Sequence, residues 1–221
     1  MPESIAENWP YIIDLCAFAL CVALIVGYQL RLQRHIRNKP GLTVQGLNAQ
    51  ARAAWVERIM TGERDILAVQ TFRNSTMAAT LMASTAVILI LAILNLMAGA
   101  GKLNTPLHLF NTLGPHTPGL WSFKLMLVLV DFFVAFFAFS LAVRGYHHAG
   151  YLINVPLKGA HGITLQRVIT VLSRASRYYS VGMRTYYLSV PLILWLFGAI
   201  WMLTATVVLL LILNHLDHLP E

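Results

Sequence analysis

Asp131 is the residue on which any intramembrane chemistry would have to rest. It lies inside KLMLVLVDFFVAFFAFS, an apolar run where an ionisable group is costly unless it is paired, hydrogen-bonded or protonated. Lys124 precedes it on the same helical face, and Ser84, Thr85, Trp201 and Thr204 fall at a similar depth in neighbouring apolar runs. Such residues make either a buried polar cluster that joins helices or a short path for a proton or ion. With no second acidic residue at that depth, the cluster is the expectation.

Two other constellations carry chemistry. In NHLDHLP, His215 and His218 share a helix face beside Asp217. Imidazole and carboxylate of this kind are ligands for zinc or copper, and His108 and His116 in LHLFNTLGPHTPGLW would complete the set if their loop covered the end of the last span. No other cofactor is expected. Arg167, Arg174, Arg177 and Arg184 recur at intervals of 7, 3 and 7 along one face of a helix, and Arg73 and Asn74 stand where another apolar run begins. Guanidinium groups grip phosphate bidentately, so these residues are candidates for lipid-headgroup or partner contact. No Gly-rich phosphate loop, zinc-type cysteine spacing or nucleophile elbow is present, and an enzyme is not expected.

The elements that must position these residues follow from composition. The chain of 221 residues is 57% hydrophobic and 11% charged, less than half the charge of an ordinary soluble domain. It reads as an all-α membrane protein. A crossing helix needs roughly 20 apolar residues, and four segments supply them: 11–30, 77–97, 123–143 and 189–213. They are apolar on every face, unlike the alternating strands of a membrane barrel. Residues 1–10 contain Glu3 and Glu7 and no Lys or Arg, unlike a cleaved signal peptide, so the first span is expected to be retained. Cys16 and Cys21 share that one helix at a spacing unsuited to a bridge and read as packing thiols.

The loops at 31–76 and 144–188 hold all but two of the 16 Lys and Arg. Such loops stay in the cytoplasm. The expectation is therefore the bacterial inner membrane, a single four-span domain, and both termini outside. The basic excess faces anionic lipid headgroups and gives no reason to expect nucleic acid. Within the first loop, VQGLNAQARAAWVERIM predicts an amphipathic helix with Val44, Leu47, Ala51, Ala54, Trp55 and Ile59 on its apolar face and Arg52 and Arg58 projecting elsewhere. The run from ERDILAVQTFRN into the second span has no breaker and predicts one long protruding helix. In the second loop Leu165, Val168, Ile169 and Leu172 form an apolar stripe, and Gly182 and Pro191 mark places where the helix leading into the last span could bend. Ser75, Ala79 and Ala83 put small residues four apart, a pattern for close helix approach in lipid.

The stretches ILAVQTFRNSTMAATLMAST and RYYSVGMRTYYLSVPLILWLFG, preceded by AWVERIM, resemble the bacterial and plant membrane family known as domain of unknown function 599. The resemblance spans most of the chain and implies a four-helix integral membrane fold. It brings no reaction, substrate or active site. The functional expectation is thus a non-enzymatic protein that works by association, either as an accessory or assembly subunit of a larger membrane complex or as a homo-oligomer. The alternatives are a small ion or proton transporter using Asp131, and a metal handler using the outer histidines.

Overall fold

The computed structural model describes residues 3–38, 43–62, 65–99, 118–155 and 162–217. They fold as six α-helices: α1 (Glu3–Asn38), α2 (Val44–Gly62), α3 (Asp65–Ala98), α4 (Pro118–Ile153), α5 (Leu165–Leu194) and α6 (Ala199–Asp217), with a 3-10 turn at Trp195–Phe197. Four stretches are long and apolar enough to cross a membrane, namely Tyr11–Asn38, Ile66–Ala98, Gly119–Ile153 and Ala199–Asp217. The unbroken run from Asp65 does form one long helix, as its lack of Pro and Gly predicts.

Packing fixes the direction of each helix. Ile90 of α3 meets Val128, Leu129 and Phe132 of α4, Ala83 meets Ala135 and Phe139, and Phe72 joins the cluster of Ala142 and Ala149, so α3 and α4 are antiparallel. Their seam is built from alanines at Ala79, Ala83, Ala86, Ala135 and Ala142, all buried; small side chains let backbones approach where lipid supplies no hydrophobic drive. α5 runs back beside α4 over its whole length, from Val168 and Leu172 near Ala149 to Trp195, whose carbonyl accepts a bond from Lys124. Here too the approach is close. A Cβ added at Gly145 would stand 2.6 Å from the Ala175 Cβ, and one at Gly182 2.8 Å from the Phe139 ring. Gly182 is therefore a seat for a ring within the unbroken helix α5.

The last expected span, 189–213, is two helices. α5 ends at Leu194, and Gly198 adopts φ 136 and ψ 161, a conformation open to glycine and strained for other residues. The chain turns back there. Arg184 of α5 bonds Asp217 at the end of α6, a contact that only a hairpin allows. α6 lies parallel to α1, since Cys21 meets Thr206 and Tyr28 meets Asp217. The start of α1 and the end of α6 consequently lie at opposite ends of the bundle.

One end carries Arg31, Arg34, Arg73, Arg144, Arg174 and Arg177, all exposed. From Lys124 to Arg144, α4 rises about 30 Å, the thickness of a bilayer's hydrocarbon core. α2 caps this basic end, its first turn closed by Thr43, whose hydroxyl accepts from Gly46 N–H at 3.2 Å. The face it buries holds Gly46, Val56 and Ile59, with Trp55 edge-on to Phe72. Leu47, Ala51 and Ala54 stay exposed, so the buried face is rotated from the expected one and brings Arg52 inward. The neighbours decide this: Val56 and Ile59 fill the space over Ala149, Val168 and Leu172.

Candidate functional site

Two ionic clusters tie the helices together at different depths. At the end where α1 begins, Asp14 stands one turn into an apolar run and Lys124 one turn into another. Lys124 Nζ lies 3.0 Å from Asp14 Oδ2, and both side chains are 3% exposed. The ammonium also donates to the Trp195 carbonyl at 3.2 Å and sits 4.8 Å from the centre of the Trp195 ring. The Trp195 indole N–H donates to Asp14 Oδ1 at 3.0 Å, while Phe18 stacks on the same indole. Each charge thus has an opposite charge and a polar partner, which is what a desolvated pair requires. The cluster joins α1, α4 and the turn between α5 and α6.

The second cluster lies about 21 Å farther along α1. Arg184 NH2 grips both Asp217 oxygens at 2.8 and 2.7 Å, its NH1 donates to Gln29 Oε1 at 2.9 Å, and the Tyr28 hydroxyl donates to Asp217 Oδ2 at 2.7 Å. It joins α1, α5 and α6. Between the clusters, Thr206 donates to the Met202 carbonyl at 2.8 Å and approaches Cys21 Sγ at 3.3 Å. On the other flank the Tyr186 hydroxyl donates to the Met82 carbonyl at 2.6 Å, fastening α5 to α3.

The expected intramembrane cluster is redistributed by this arrangement. Lys124 is committed to Asp14, whereas Asp131 is half-buried with Oδ2 sealed and without a hydrogen-bond partner. Ser84 is exposed and Thr85 donates to the Leu81 carbonyl of its own helix. Trp201 and Thr204 face away, lining a groove of about 550 Å³ between α5 and α6 whose other walls include Val190, Leu194, Val208 and Ile212. Asp14, near the start of the first span, is buried.

Of the arginine stripe, Arg167, Arg174 and Arg177 are exposed along one face of α5, as are Arg73 and Asn74 on α3. Arg184 leaves the stripe for the interior. His108, His116 and His218 lie outside the described residues. His215 is exposed, Asp217 is spent on Arg184 and Tyr28, and among the described residues no group of three metal-ligating side chains gathers. The residues that sequence reasoning missed are Asp14, Tyr28, Gln29 and Trp195.

No curated protein and no solved structure matches the chain. The chain belongs to the family described as Protein of unknown function, DUF599, whose pattern it matches over residues 16–220.

Proposed function

We propose that this member of the DUF599 family is a non-enzymatic protein of the bacterial inner membrane that acts by association with other transmembrane helices, as an accessory or assembly subunit or as a homo-oligomer. The observation that carries the reading is a division of labour among side chains. The charges at Asp14, Lys124, Arg184 and Asp217 are consumed in joining the chain's own helices, while the surface facing outward in the membrane zone is large and apolar: Leu15, Met77, Leu81, Ile88, Leu91, Phe137 and Leu211 are each at least 60% exposed. Association in lipid depends on shape at such faces, because lipid tails are as apolar as the side chains.

In this reading the arginine-rich end faces the cytoplasm, where Lys and Arg accumulate and anionic headgroups attract them. α5 then serves as a fifth crossing, α1 begins outside, and α6 ends inside. The test is extraction of the native protein in mild detergent, sizing, and mass spectrometry of co-migrating chains. Stoichiometric partner subunits or a defined homo-oligomer is the expected result; a monomer with no partner would overturn it.

A second reading rests on Asp131, whose sealed and unpartnered Oδ2 is the kind of group that carries protons in membranes. It predicts that Asp131→Asn abolishes proton flux into vesicles while the protein stays folded. Flux equal to that of the native chain would discard it.

A further inference from the structure

Charges that this chain carries at membrane depth are matched, with one exception. Lys124 meets Asp14 at 3.0 Å and Arg184 meets Asp217 at 2.7 Å, each cation facing an acid from another helix. Asp131 has no such partner. Its Oδ2 is sealed and accepts no hydrogen bond, and among the described residues no ion pair reaches it. It stands seven residues along α4 from Lys124 and thirteen from Arg144, about 10 Å and 20 Å by the helical rise, so it lies in the hydrocarbon zone measured from either end.

The residues around Asp131 show where it is open. Leu127, one turn earlier, packs against the cluster of Trp195 and Met202, and Phe132 and Ala135 are buried in the seams with α3. Val130, Val134 and Leu141 recur on the next face of the helix and are 49%, 47% and 41% exposed. Asp131 is half-buried at the edge of that strip, three residues from Val134 and so its neighbour on the helix surface. Lipid tails cover valine and leucine well, but they bring no donor to a carboxyl. A protein helix laid on the strip brings both.

The chemistry of that helix follows from what is already spent. Ionisable groups within a bilayer are found paired with one another, and the complement of Asp131 is a cation. A second copy of this chain has none to give at that depth: the Lys124 ammonium is held by Asp14 and the Trp195 carbonyl, and the Arg184 guanidinium by Asp217 and Gln29. We infer that the α4 strip of Val130, Asp131, Val134 and Leu141 docks a transmembrane helix of a different protein, which carries a Lys or Arg opposite Asp131. This rests on the association reading and selects, within it, the accessory subunit over the homo-oligomer. The pair fixes the register and identity of the partner, as complementary charges do at interfaces.

The experiment isolates the full tagged chain with its partners from native membranes in mild detergent and reads the partner-to-chain ratio by sizing and mass spectrometry. The expected result is a stoichiometric partner with a Lys or Arg inside one of its own spans. Asp131→Asn should lower the partner ratio about tenfold or more, the worth of a charge-assisted bond. Exchanging the charges, with Asp131→Lys in this chain and Asp in place of the partner's cation, should restore the complex, which separates loss of a contact from loss of fold. Survival of the complex in Asp131→Asn, as expected if Asp131 serves proton passage instead, overturns the proposal. So does a partner without a cation in its spans, a complex of this chain alone, or a charge exchange that restores nothing. Each of those results leaves the association reading standing, whereas a monomer with no partner removes both.

Discussion

The two ionic clusters use overlapping helices and opposite designs. At the far end a lysine and an aspartate are sealed at 3% exposure each, whereas at the basic end arginine and aspartate remain 17% and 12% exposed. The sealed pair has one ammonium, one carboxylate and one indole, so loss of any member strands a charge in an apolar setting. The open cluster spreads its charge over a fork, a phenol and an amide, and reaches water nearby. The Asp14 cluster is therefore the rigid anchor that fixes where the chain turns back, and the Arg184 cluster is the latch that holds α6 and α1 against α5.

That contrast can be broken most severely at the anchor. Lys124→Met should leave Asp14 unpaired and cost about 3–5 kcal/mol, visible as a large fall in melting temperature in detergent, while the double change with Asp14→Asn should recover most of the loss. Recovery by less than a quarter would show that the pair does not act as a unit. Arg184→Met should cost less, about 1–3 kcal/mol, since water can reach the stranded Asp217. A loss at the latch equal to that at the anchor would refute the ordering.

Smaller effects sharpen the same picture by testing what lies between the clusters. Gly198→Ala forces a side chain into a strained backbone conformation and should cost about 1–3 kcal/mol; no change in melting would mean that the turn is not built on Gly198. Thr204→Val, on the outward groove and bonded to its own helix at Ile200, should move stability by less than about 0.5 kcal/mol, as read in the same melt.

Much of this fold was legible in the sequence, because apolar length and the placement of Lys and Arg are properties of segments. The long α3, the alanine seam and the basic end all follow from them. The crossing proposed for α5 does not, since Arg184, Thr185, Tyr186, Tyr187 and Ser189 lower its hydropathy, and hydropathy treats each residue as though it faced lipid. Those groups are satisfied internally, as Arg184 is by Asp217 and Tyr186 by Met82. The glycine in LFGAI was the available signal for a reversal. Asp131 and Lys124 share a face but stand two turns apart, about 10 Å along the axis, too far to pair directly. The partner of Lys124 was a matter of depth: Asp14 lies as far inside its run as Lys124 does in its own.

The hairpin at Gly198 is the claim from which the latch, the anchor and the membrane orientation all follow, and it is tested by labelling from one side of the membrane. With Cys16 and Cys21 replaced by alanine, single cysteines at Glu7→Cys and Glu221→Cys would be probed in intact cells with a membrane-impermeant thiol reagent, before and after permeabilisation. The account predicts that the two positions label from opposite sides, Glu7→Cys in intact cells and Glu221→Cys only after permeabilisation. Labelling of both from the same side would contradict it, because 189–213 would then cross the membrane once.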